Sequence, residues 1–204
     1  MLHTNTIFPK TLDLLESIMQ INALQQFSLA GGTSLALQIG HRISVDLDFF
    51  GNAPINKESL FDLFTPFGKL KLITQSTNIL IFEIDNIKID FISYRYPLIK
   101  PLININNIRL FSIEDIGAMK LAAIAGRGKK RDFIDLFFLL KYFSLKELIS
   151  FYNSKFIDGS EFLVLKSLTY FDDAEQDEDL QMINPVNWLM VQLTIIEEVK
   201  KMYK

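Results

Sequence analysis

The spacing of apolar residues changes period along the chain, and each change marks an element. Between residues 10 and 23, Leu12, Leu15, Ile18 and Met19 recur at helical spacing and form one stripe. Residues 26 to 30 then read as a short strand, which passes through Gly31-Gly32 into a short helix over 34–39, closed by Gly40. From Val45 to Phe50 the period is two, so Val45, Leu47 and Phe49 share one face and Asp46 and Asp48 the other. A helix over 57–64 follows, then strands near 69–75, 78–84 and 87–94, the last two joined by the hairpin signal Asp85-Asn86. Tyr96-Pro97 and Lys100-Pro101 break the strand pattern. Beyond residue 112 the pattern predicts helices near 113–125, 130–143, 145–153, 160–169 and 186–202, the first opened by Ser112 and Asp115 at capping-box spacing. The chain thus reads as α+β, with a core over 1–110 and a helical region over 111–204.

The polar residues that interrupt these apolar runs carry the chemistry. Asp46 and Asp48 stand about 7 Å apart along one strand face, and carboxylates held that close repel unless a cation lies between them. An exposed acidic strand face is the plain alternative. Asp90 sits opposite Ile89 and Phe91 in the 87–94 strand, either as a partner of Lys88 or as a third metal ligand beside Asp46 and Asp48. Gly31 and Gly32 fall at a strand-to-helix junction, where a phosphate can approach free amides, with the Thr33 and Ser34 hydroxyls at the same spot. Arg42 either braces Asp46 and Asp48 or reaches a triphosphate, or else it and His41 merely end the short helix.

Further along, Ile116, Lys120 and Ile124 form one row. The Lys120 ammonium either points into a cleft or reaches to water past a packed stem. Asp132 and Asp135 need partners, and Arg127, Lys129, Lys130 and Arg131 are at hand. We read Asp135 as structural, and Asp132 as structural or as an active-site contact.

Composition narrows the picture. With 49% hydrophobic residues and 18 phenylalanines among 204 residues, the chain can build a real core. It has no cysteine, so disulfide and thiolate chemistry are excluded. Its two histidines, His3 and His41, do not support a histidine zinc site. No apolar run reaches the roughly 18 residues of a membrane helix, and residues 1 to 10 lack the core of a signal peptide; a cytoplasmic location is expected. The net charge is −3, but the six acids between residues 172 and 179 leave the rest of the chain at +3. Positive charge gathers at Arg127, Lys129, Lys130 and Arg131, either a solvated loop or an edge that meets an acidic substrate such as RNA.

The string Gly31-Gly32-Thr33-Ser34, then Asp46-x-Asp48, then Asp90 in a later strand resembles the DNA polymerase beta superfamily of nucleotidyltransferases. Gly40-His41-Arg42 and Ser44 before Asp46-Leu47-Asp48-Phe49-Phe50 resemble its AbiEii/AbiGii toxin branch. So do Met119-Lys120-Leu121-Ala122-Ala123-Ile124, Arg131-Asp132-Phe133-Ile134-Asp135-Leu136 and the stretch Tyr170 to Glu175. The resemblance spans nearly the whole chain. It implies a nucleotidyltransferase fold, a mixed twisted sheet flanked by helices, with the C-terminal helices completing the active-site cleft. It further implies transfer of a nucleoside monophosphate from a nucleoside triphosphate to an acceptor, with two magnesium ions on Asp46, Asp48 and Asp90. Gly31, Gly32, Thr33, Ser34, Arg42, Lys120 and Asp132 would bind the nucleotide, Lys120 as a point charge on its phosphates. The expected acceptor is RNA, first a tRNA 3′ end, and the expected setting a bacterial toxin–antitoxin or abortive-infection pair with a cognate antitoxin. The rival readings are a non-catalytic binding or regulatory module of the same fold and a magnesium-dependent phosphohydrolase.

Overall fold

Seven short strands, each bounded by a turn or a glycine, form a single mixed sheet in a computed structural model that describes residues 1–204. They are β1 (Phe27–Leu29), β2 (Leu47–Gly51), β3 (Leu70–Gln75), β4 (Ile79–Ile84), β5 (Ile87–Ser93), β6 (Ile103–Ile105) and β7 (Ile108–Leu110), in the spatial order β3-β4-β5-β2-β1-β7-β6. β2 runs parallel to β5 and β1 parallel to β7, while the other neighbours are antiparallel. The chain divides into two units, Met1–Tyr96 with Leu102–Phe111, and Pro97–Pro101 with Ser112–Lys204. The first unit holds every strand, and the α+β class expected from the pattern is the one observed.

One expectation needs correcting. The strand pattern does not stop at Tyr96: β6 and β7 extend the sheet after the proline breaks. Their turn, Asn106-Asn107, has φ of 52° and 64°, like Asp85-Asn86 at 47° and 69°. Positive φ at both central residues is the hairpin geometry that matches strand twist, and asparagine tolerates it. Three-residue strands are too short to display a period, so only the Asn-Asn turn announces them.

Within the first unit, alternation sorts the two faces of the sheet. Leu47, Phe49, Ile89, Phe91, Leu80 and Phe82 are buried in the core. Against them pack α1 (Pro9–Gln20), through Leu15 and Ile18, and α3 (Lys57–Phe64), through Leu60 and Phe64. Phe91 stacks with Phe49 at 5.0 Å between centroids, and Phe64 tilts onto Phe91 at 5.6 Å. Arg109 of β7 donates to the carbonyls of Phe27, Met19 and Leu24, tying β1 to the chain at the end of α1. Burial lowers its guanidinium pKa.

The second unit is helical: α4 (Ile113–Arg127), α5 (Lys130–Leu139), α6 (Leu145–Lys155), α7 (Glu161–Ser167), α8 (Asp172–Glu175) and α9 (Trp188–Lys201). α5 stops four residues before its expected end, and α8 has no counterpart among the expected helices. The unit's anchor is Asp115, whose carboxylate accepts from Ser112 Oγ, from the amides of Ile99 and Lys100, and from Lys155 Nζ at 2.6 Å. Lys155 also donates to the Pro97 carbonyl at 2.7 Å. These bonds fasten residues 97 to 101 to the helical unit. No helix of the chain is long and apolar enough to cross a membrane.

Candidate active site

Parallel pairing of β2 with β5 sets the central geometry. Asp48 and Asp90 are direct register partners, so they leave the sheet on the same face from strands about 4.8 Å apart. Asp46 shares their parity but lies just before β2, which starts at Leu47. Val45, expected on the core face, is instead exposed, because the strand has not yet begun. Asp48 and Asp90 therefore share one face of the sheet in the first unit, and Asp46 lies in the segment that leads into β2. As the side chains stand, no three His, Cys, Asp or Glu groups converge as a metal cluster would. Both Asp90 oxygens instead take the Lys88 ammonium, at 2.6 and 2.7 Å. Pairing with Lys88, one of the two roles open to Asp90, is a contact the structure contains.

The glycine turn is built against Asp48. α2 (Gly31–Ile39) begins at the first glycine, three residues earlier than the pattern suggests. Gly31 has φ +65°, and a Cβ there would collide with the Asp48 carboxylate, lying 2.9 Å from its Cγ and closer still to Oδ2. A Cβ on Gly32 would meet the Arg42 guanidinium, itself buried. Glycine is required here by close approach: the start of α2 abuts Asp48 on one side and Arg42 on the other. The Ala30 amide donates to the Asp48 carbonyl at 2.9 Å, holding the two segments together.

The Thr33 and Ser34 hydroxyls have partners within the protein. Both are fully buried. Thr33 Oγ1 lies 2.8 Å from Ser44 Oγ and also bonds the Asp46 carbonyl. Its single proton satisfies the carbonyl when Ser44 donates back to it. Ser34 Oγ accepts from Gln38 Nε2 at 3.1 Å. Arg42 Nη1 donates to the Ile43 carbonyl at 3.0 Å. Thr33, Ser44 and Arg42 thus shape the loop that presents Asp46. For Ser44 the sequence offers only its place in a motif, and no local signal of this contact.

Lys120 and Asp132 lie in the second unit. Lys120 Nζ bridges Asp132 at 2.9 Å and Asp135 at 2.5 Å, and both carboxylates are fully buried. Arg127 grips Asp132 with Nε at 2.9 Å and Nη2 at 3.1 Å. Two cations balance two carboxylates, as interior charge requires. Burial raises the Asp132 pKa, but Lys120 and Arg127 outweigh it and hold the group below its ordinary value. Of the partners at hand for Asp132, Arg127 is the one found. Lys129 and Lys130 turn instead to Asp177 and Asp179. The Ile116-Lys120-Ile124 row could disclose the Lys120–Asp132 pair only with knowledge of how α4 and α5 pack.

Comparison with known proteins agrees on the family. Residues 13–199 match the family described as nucleotidyl transferase AbiEii toxin, type IV TA system. An uncharacterized protein of Aquifex aeolicus is 37% identical over 177 residues, covering 83% of this chain and 86% of that one. Among solved structures, MenT4, a nucleotidyltransferase toxin from Mycobacterium tuberculosis, aligns with a TM-score of 0.57 at 16% identity, over 95% of this chain and 86% of that one. JHP933 from Helicobacter pylori aligns with a TM-score of 0.52 at 20% identity, over 97% and 95% of the two chains. At these identities the two structures establish a shared fold.

Proposed function

Because the chain belongs to the AbiEii family of nucleotidyl transferase toxins, we propose that it moves a nucleoside monophosphate from a nucleoside triphosphate to an RNA hydroxyl, with magnesium as its metal. It is a nucleotidyltransferase, and its family brings an antitoxin and a nucleotide substrate with it. The acceptor and the metal are our reading, with a tRNA 3′ end as the first acceptor to test. The observation that carries it is the register of Asp48 against Asp90 beside the glycine-bearing start of α2.

The donor set fits a divalent ion. Asp46, Asp48 and Asp90 offer only hard oxygen donors, the type magnesium takes, and Asp90 already grips a cation in Lys88. Magnesium in such a site neutralises phosphate charge and makes an acceptor hydroxyl easier to deprotonate. The protein's own residues do the rest of the positioning. The first amides of α2, at Gly31 and Gly32, present the positive end of a helix to phosphate oxygens. Thr33, Ser44 and Arg42 keep the Asp46 loop in place from the inside, so Thr33 and Ser34 contribute through the backbone rather than through their hydroxyls. Within residues 111–204, Lys120 is proposed to bind nucleotide phosphates as a point charge, and Asp132 to orient it.

The test is incubation of purified protein with labelled nucleoside triphosphates, magnesium and bulk RNA. Label should pass to RNA, and Asp46→Ala and Asp48→Ala should abolish the transfer. Expression in a bacterial host should slow growth, and Asp48→Ala should relieve the slowing. Nucleotide released without transfer would identify a phosphohydrolase. Binding without either reaction would identify a non-catalytic module, and transfer that survives Asp46→Ala would refute the site.

A further inference from the structure

The basic turn between α4 and α5, which as a string offers an edge to RNA, is covered in the structure by the chain's own acidic run. Asp177 Oδ1 pairs with Lys129 Nζ at 2.9 Å, and its Oδ2 accepts from the Lys130 amide at 2.8 Å. Lys130 Nζ donates to the Asp177 carbonyl at 2.8 Å and pairs with Asp179 at 3.2 Å. The partners lie 47 to 49 residues apart in sequence, so this is a tertiary contact and not a local loop. Trp188 of α9 backs it: Lys130 Nζ sits 5.6 Å from the indole centroid, and the indole nitrogen donates to Glu175 at 2.9 Å. Burial raises the Asp177 pKa, but hydrogen bonds from Lys129 and from the Lys130 amide outweigh it and lower the group, so the cover is charged at neutral pH.

We propose that Lys129 and Lys130 form an RNA-binding surface held closed in cis by Asp177 and Asp179, whose carboxylates take the place of backbone phosphates. The inference rests on the RNA-acceptor reading above and names how access to the acceptor is controlled. Two features favour a cover that lifts over a permanent lock. Asp179 is 94% exposed and Lys129 about half exposed, so the rim of the cover is open to solvent, where ion pairs are weak and screened by salt, while Lys130 lies buried beneath it. A polyanion also gains by releasing its own counterions when it meets freed lysines, which a single carboxylate cannot match. A single-stranded RNA fits better than an acidic protein partner, because the groups to be displaced are themselves protein carboxylates.

Asp177→Asn with Asp179→Asn removes the charge, and the amide oxygen can still accept from Lys130 N, so α5 keeps its cap. Binding of a fluorescein-labelled single-stranded RNA, followed by anisotropy across a salt series, reads the effect. The double variant should bind more tightly than wild type at low salt, with a log–log salt slope steeper by up to about 1.4, at about 0.7 per freed phosphate contact on single strands. Adding Lys129→Ala to the double variant should return about half of that gain. Equal affinity and slope for wild type and double variant would overturn the proposal and leave Asp177 a helix cap. Failure of both to bind RNA would also overturn it, and the labelled-nucleotide assay, which needs neither aspartate, would then report separately on the transferase reading.

Discussion

Replacing Gly31 by alanine should damage the protein in two separable ways. The first is backbone strain. At φ +65° a residue with a Cβ pays about 1–2 kcal/mol for the left-handed conformation. For a chain of this size that lowers the melting temperature by roughly 2–8 °C, at about 2–4 °C per kcal/mol. The second is a collision. The new Cβ would lie 2.9 Å from Asp48 Cγ, and the Asp48 main chain cannot retreat, because its carbonyl is held by the Ala30 amide at 2.9 Å and its strand is paired on both sides. The carboxylate must therefore swing away. A misplacement of about 1 Å at a reacting centre costs on the order of 100-fold in rate. Gly31→Ala should thus lower label transfer by about that factor while the protein stays folded at 25 °C. A double-mutant cycle separates the two effects: in an Asp48→Ala background the carboxylate contacts are gone, a Cβ approach of 3.1 Å stays, and the cost should fall towards the strain of about 1–2 kcal/mol. Gly126→Ala is the control, since a Cβ there meets nothing within 4 Å and a helical glycine replaced by alanine should gain up to about 1 kcal/mol. Thermal melts and the transfer assay on these variants decide the matter. Wild-type melting and wild-type transfer by Gly31→Ala would refute both the tight approach and the role given to Asp48.

Three other outcomes follow from particular contacts. Lys155→Met should cost about 3–5 kcal/mol in urea unfolding, since it leaves a buried carboxylate without its counter-charge; both partners are fully buried. Adding Asp115→Asn should recover part of the loss, and a cost within error of zero would show that the pair carries no stability. Lys88→Met frees Asp90 from its ammonium, so half-saturation of nucleotide binding should need less magnesium; an unchanged requirement would mean Asp90 takes no part in cation binding. The folded pKa of Asp132 lies below its ordinary value of 3.8, so the stability it contributes is complete above that value and is lost as pH falls through the folded pKa. Asp132→Asn should flatten the acid limb of the stability–pH curve, and an identical limb would place the dependence elsewhere.

Much of the fold is legible in the chain because local patterns do not depend on what they pack against. The α3 helix, the strands up to β5 and the Asp85-Asn86 hairpin follow from period and turn chemistry alone. The AbiEii motifs, Gly31-Gly32 with Asp46-x-Asp48 above all, are short, contiguous and specific, so the family is legible in the string of residues itself. β6 and β7 escape such a reading because each is three residues long and follows the proline breaks, whereas β1, equally short, is marked by the glycine turn just after it.

Strand order and side-chain partnership lie beyond the sequence. Nothing local says that β5 lies parallel to β2, yet that pairing puts Asp90 opposite Asp48 across 42 residues of chain. Nothing local chooses between the two roles open to Asp90, or says that Lys120 reaches across to α5 instead of following its own row. The clearest case is the basic turn. As a string, Arg127-Gly128-Lys129-Lys130-Arg131 is four cations around a glycine, and residues 172 to 179 hold six acids with no evident purpose. Charge counts are additive and can be read from composition. Whether two opposite charges cancel depends on their separation, because the attraction falls with distance and is screened within about 10 Å in salt. The sequence therefore determined that the chain carries both charges, and only the packing of α5 against the segment before α9 decided that they meet.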